Sequence, residues 1–115
     1  MNLEVSFRNL SPRAEVNKRG QLLYEKLQRF LDPASEGLMT VSTEHGKAIV
    51  ELVVQSQGTT YKAAEEHDEL KAAMDLTFHT MESQLRRSKE RRVTRRHSGS
   101  NHADGFVEER DEYEA

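Results

Sequence analysis

The sequence predicts an α+β domain: a four-stranded, mainly antiparallel sheet with two helices on one face, in the order β-α-β-β-β-α, followed by a disordered acidic C-terminal tail. Three observations carry this reading. Apolar and polar residues alternate over 3–7, the period of a half-buried strand, and three further strand signals follow the first helix. After the first run and again after the fourth, apolar residues recur at helical spacing. Two joints, His45-Gly46 and Gln57-Gly58, put Gly where a tight hairpin needs positive φ.

The first strand is expected around Leu3, Val5 and Phe7, which alternate with Glu4 and Ser6. Asn9-Leu10-Ser11-Pro12 breaks it, with Ser11 expected to cap a helix whose first position is Pro12. Val16, Leu23, Leu27, Phe30 and Leu31 then give an amphipathic helix of about 18 residues. Gly20 lies inside it, at a cost of ~1 kcal/mol against Ala. Asp32-Pro33 closes it, since the residue before Pro avoids the helical region.

Strands are expected over 38–44, 47–56 and 59–65, joined as antiparallel hairpins. In the middle one, Val50, Leu52 and Val54 share a buried face, while Ile49, Glu51, Val53 and Gln55 share a partly solvated one. Asp68 is the expected cap of the last helix, whose buried stripe is Leu70, Ala73, Met74, Thr77, Phe78, Met81 and Leu85. The stripe stops there, yet nothing breaks the helix over 86–92, so it should run on into solvent. Residues 1–97 form the domain with its basic helix extension. Ser98-Gly99-Ser100-Asn101 begins a linker and tail, 98–115.

Charge is the strongest functional signal. The 115 residues carry 17 basic and 20 acidic side chains, a formal −3. That total hides seven cations over 86–97, namely Arg86, Arg87, Lys89, Arg91, Arg92, Arg95 and Arg96, against Glu90 alone. It also hides six carboxylates over 104–115 against Arg110. A helix dipole accounts for one or two cations in a last turn, each contributing ~0.3–1 kcal/mol. Seven repel one another and weaken an isolated helix. Such a block is the footprint of a polyanion contact, with nucleic acid the first candidate. Arginine outnumbers lysine six to one in it, which favours forked phosphate contacts.

Lys26 and Arg29, one face of the first helix, could extend the phosphate footprint, as could Lys62 on the fourth strand; ordinary solvent residues are the plain alternative. Lys18 and Arg19 are further cations there. Tyr61 reads as packing before base stacking, because no aromatic pair of the RNA-recognition type accompanies it. The five histidines have no metal-ligand spacing and Cys is absent, so no metal or cofactor is expected. His67-Asp68-Glu69 is explained by capping, Ser100 lies in a linker, and no Gly-rich phosphate loop exists. An enzyme acting on a small molecule is therefore not expected.

The longest apolar stretch, 48–54, contains Glu51 and is too short to span a bilayer. With no leader at residues 1–5, a cytoplasmic monomer is expected. The acidic tail, with Phe106, Val107 and Tyr113 among its carboxylates, reads as a solubilising tail, a nucleic-acid mimic that shields the arginines, or a docking element.

The element order, Glu69-Leu70-Lys71-Ala72-Ala73-Met74-Asp75 opening the last helix, and Gln84-Leu85-Arg86-Arg87-Ser88-Lys89 closing it resemble the ribosome hibernation factors. Phe106-Val107-Glu108-Glu109 resembles the C-terminal extension of the ribosome-associated inhibitor (protein Y) type, which the shorter hibernation-promoting factors lack. Glu69 and Lys71 depart from the family's usual Asp and Tyr. The resemblance implies a binder of the small ribosomal subunit and its rRNA within the 70S ribosome. It would lie between head and body, over the mRNA path and the A- and P-site tRNA positions. It implies rRNA contacts by Gln84 together with the cations Lys26, Arg29, Lys62, Arg86, Arg87, Lys89, Arg91, Arg92, Arg95 and Arg96. The alternatives are a promoter of ribosome dimerisation working with a modulation factor, and a general RNA-binding module.

Overall fold

The computed structural model describes residues 2–98, with side chains as far as Lys89. The linker and acidic tail, and with them the expectation of disorder, lie outside the described residues. Strands β1 (Asn2–Arg8), β2 (Glu36–Glu44), β3 (Lys47–Ser56) and β4 (Thr59–His67) combine with helices α1 (Ala14–Glu25) and α2 (Leu70–Ser98) in the expected order. The sheet order is β1-β2-β3-β4. β1 runs parallel to β2, and the other two pairings are antiparallel.

Both hairpins turn in two residues, and all four of those residues have positive φ: His45 at 52°, Gly46 at 79°, Gln57 at 54° and Gly58 at 78°. This is the turn whose twist matches the strands it joins. His and Gln occupy positions that Asn or Asp fill more cheaply, so each hairpin carries some backbone strain.

The alternation expected for β3 is observed, with Val50, Leu52 and Val54 fully buried. Met39 and Val41 from β2, Tyr61 and Ala63 from β4, and Leu3 from β1 line the same face. Against it pack Val16 and Tyr24 of α1 and Ala73, Met74, Phe78, Met81 and Leu85 of α2. Among the described residues no helix covers the other face of the sheet.

Helix boundaries differ from those expected. Arg13, in extended conformation, is the N-cap of α1, so Ser11 and Pro12 lie before the helix. The position of Val16, Gly20 and Tyr24 on the sheet sets where the helix turns, and it outweighs the local cap signal. The helix is 12 residues, and the chain then tightens into a 3-10 turn, Gln28–Phe30. That tightening puts Leu27 and Phe30, three apart, on the core together, and Leu31 leaves in extended form ahead of Pro33. At the start of α2 the Glu69 carbonyl accepts the first helical bond from Ala73. Asp68 is one residue too early to cap and pairs with Lys47 at 3.7 Å instead. His67, just before the helix, accepts the Glu69 N–H on its Nδ1 at 3.0 Å.

Candidate nucleic-acid interface

The last helix holds the candidate site, and an edge of polar side chains holds the helix. Thr80, Gln84 and Ser88 recur every four residues and so lie along one line of α2. Thr80 Oγ1 donates to Glu65 Oε2 at 2.9 Å, and Gln84 Nε2 donates to the Lys62 carbonyl at 2.8 Å. Ser88 shares a 2.9 Å hydrogen bond with the Tyr61 hydroxyl. Three rungs thus bind α2 to β4 one turn past Leu85, where the apolar stripe ends. The expected edge of the core moves accordingly: Ser88 is buried.

This ladder fixes which way the neighbouring cations face. Arg86, Arg87 and Lys89 flank Ser88 in sequence and are all exposed. Arg86 pairs with Glu82 one turn earlier on the same helix. Arg29, in the 3-10 turn, approaches the same Glu82 carboxylate at 4.0 Å. Its guanidinium lies 4.8 Å from the Phe30 ring centre, and Lys89 Nζ lies 5.8 Å from the same centre. Arg29, Arg86 and Lys89 therefore gather around one carboxylate and one aromatic ring. A second clamp sets the helix pair: Arg19 grips Asp75 through three contacts of 2.7–3.2 Å. Arg19 with Asp75 and Arg29 with Glu82 follow the same order along both segments, so the two helices run in the same direction.

Lys26 is exposed as the residue that closes α1, one turn before Arg29. Lys62 is apart from this group. It alternates with the inward-facing Tyr61 and Ala63 and stands beside Val53 on the open face of the sheet. Gln84 is only 8% exposed, and its amide nitrogen is engaged with β4, so it supports the interface from within. Tyr61 is packing, buried and tied to Ser88. The backbone of α2 continues as helix through Arg91, Arg92, Arg95 and Arg96 to Ser98; the side chains of those four arginines lie outside the described ones.

Sequence reasoning named Gln84 but missed Phe30 and Glu82 as parts of the site, and missed the line that Thr80 and Ser88 form with Gln84. The last was findable as a polar stripe of period four beside the apolar one. The gathering of Phe30 with Lys89 was not, because it joins residues far apart in the chain.

Each exposed ion pair here is worth ~0–1 kcal/mol, so a phosphate can take these cations from Glu82 at little cost. Among the described residues no group of three His, Cys, Asp or Glu is placed to hold a metal ion, and no helix is long and apolar enough to cross a membrane.

Comparison with known proteins bears on the family and the fold. Residues 3–93 match the family described as "Sigma 54 modulation protein / S30EA ribosomal protein". The N-terminal domain of Protein Y from Thermus thermophilus superposes with a TM-score of 0.71 at 26% identity, covering 76% of this chain and 98% of that one. A ribosomal subunit interface protein from Coxiella burnetii shares the fold, with a TM-score of 0.65 at 24% identity over 78% and 99% of the two chains. No curated protein matches significantly. The family match takes in the sheet, both helices and the cationic stretch as far as Val93. The chain therefore belongs to the Sigma 54 modulation protein / S30EA ribosomal protein family, the ribosome hibernation factors that its sequence resembles.

Proposed function

We propose that this protein is a reversible plug of the small ribosomal subunit, a cytoplasmic translation inhibitor that occupies the decoding region. It blocks the mRNA path and the A- and P-site tRNA positions, and so stabilises idle ribosomes under stress or in stationary phase. It works by occupancy, with no bond made or broken. The observation that carries the reading is the gathering of Arg29, Arg86 and Lys89 around Glu82 and Phe30, with α2 continuing beyond them. A compact wedge bearing such a rod fits a groove walled by phosphates. The contact set is Lys26, Arg29, Arg86, Arg87 and Lys89, with Arg91, Arg92, Arg95 and Arg96 further out on the helix. Gln84 holds that helix in place, and Lys62 would reach RNA only from the other side of the sheet.

Each phosphate neutralised releases counterions, giving a slope of about −0.7 to −0.9 in log affinity against log salt. Four such contacts predict an affinity loss on the order of 100-fold between 50 and 200 mM salt. Cosedimentation with purified ribosomes tests this: the protein should travel with the small subunit at low salt and leave it at high salt. Competition with bulk RNA should not displace it if groove shape governs binding. R86E/R87E/K89E should abolish the association while circular dichroism stays native, since these side chains lie outside the core. Wild-type protein remaining at the top of the gradient at low salt ends the proposal.

A further inference from the structure

The open face of the sheet carries the opposite sign from the helix edge. Strand register places Glu4, Leu38, Val53 and Lys62 side by side across all four strands. Leu38 is 40% exposed, unusual among the described large apolar residues, and Val53 beside it is half-buried. Glu36 and Glu51 stand in the rows on either side of this apolar pair, and Glu4 stands next to Leu38. All three carboxylates are exposed, and none takes part in an ion pair among the described residues. Among the described residues, Lys62 at the end of the row is the one cation adjoining the Leu38–Val53 pair, and the carboxylates outnumber it three to one.

Neither stability nor RNA binding accounts for this arrangement. Like charges around a shared patch repel, and a polyphosphate is repelled by all of them. An apolar centre ringed by uncompensated carboxylates is complementary to a peptide with an apolar side chain flanked by Lys or Arg. We propose that the open sheet face docks a basic polypeptide segment of the ribosome, seating an apolar side chain on Leu38 and Val53 and its cations on Glu4, Glu36 and Glu51. This rests on the ribosome-binding reading and adds a second contact to it: phosphate on the helix edge, basic protein on the opposite face.

Two measurements on the full chain test it, after wild-type cosedimentation has been established. A photo-crosslinking residue in place of Leu38, irradiated on purified ribosomes, should give a protease-sensitive, RNase-resistant adduct. The substitution E4K/E36K/E51K supplies the sign. It makes the protein six charges more positive, so a face turned to RNA or to solvent predicts tighter or unchanged ribosome binding. A face turned to basic protein predicts binding weakened by about 5- to 10-fold at low salt. If the triple variant does not fold, E51K alone carries the same sign test. An adduct to RNA only, no adduct on sedimenting complexes, or tighter or unchanged binding by the charge variant each overturn the docking face while leaving the plug intact. Failure of wild-type protein to sediment overturns both.

Discussion

Gly37 lies beneath the Tyr24 ring, and a Cβ there would stand 3.0 and 3.2 Å from two of its carbons and 3.1 Å from Leu3 Cδ1. The ring cannot give way easily, being buried and hydrogen-bonded to Ser35 at 3.3 Å. Gly37→Ala should therefore lower stability by about 1–3 kcal/mol, read as a fall in the urea midpoint. Gly20 is different: its added Cβ meets the far end of the flexible Met39 side chain, and helix propensity offsets the crowding. Tyr24 also makes the fold sensitive to alkali. Burial, the largest cause, raises its pKa above the usual 10.0, the Ser35 hydrogen bond opposes that, and the charges of Glu36 and Asp32 add to it. Below that ordinary value both folded and unfolded chains keep the proton, so the stability is fully present. Above it the unfolded chain ionises first, and stability is lost as pH rises through the folded pKa. Urea unfolding of Tyr24→Phe at pH 8 and at about pH 10.5 should show a smaller alkaline loss than wild type. None of this was legible beforehand, because Gly37 and Tyr24 meet through the tertiary fold. The cap residues misled for a related reason: Ser11 and Asp68 are good caps locally, but packing of the helices on the sheet decides where each begins.

Among the elements, the strands were the most legible. Alternation in β3 and the two Gly-bearing joints suffice, since a strand's register has only two faces to choose between. The long first helix was less so, because 3.6-residue periodicity cannot tell continued α-helix from a turn tightened to three per turn at Gln28–Phe30. In α2 the apolar pattern ended at Leu85 while burial did not, and the difference is the polar ladder to β4. Tyr61→Phe removes its last rung at constant shape. The expected cost is about 0.5–1.5 kcal/mol in denaturant unfolding, with the rest of the helix seated by Phe78, Met81 and Leu85.

On the scale of the molecule, the sheet is a wall between two electrostatic territories. Arg29, Arg86 and Lys89 belong to the helix layer, and Glu4, Glu36 and Glu51 to the bare layer. The sequence shows the cationic block as a block, because seven cations in a short run need no fold to be seen. It does not show which other cations join it. Arg29 does and Lys62 does not, although both looked equally available; the alternation of β4 alone sends Lys62 to the far side.

The strand order of the sheet repeats the order of the chain, and the cationic stretch follows all four strands. A ribosome making this protein therefore delivers the scaffold before the charge. The nascent chain emerges with β1 and α1 first and the hairpins next, and the arginines of α2 leave the exit tunnel only after the strands that will anchor their helix. Translation itself thus delays the moment at which the product can grip the machine that made it.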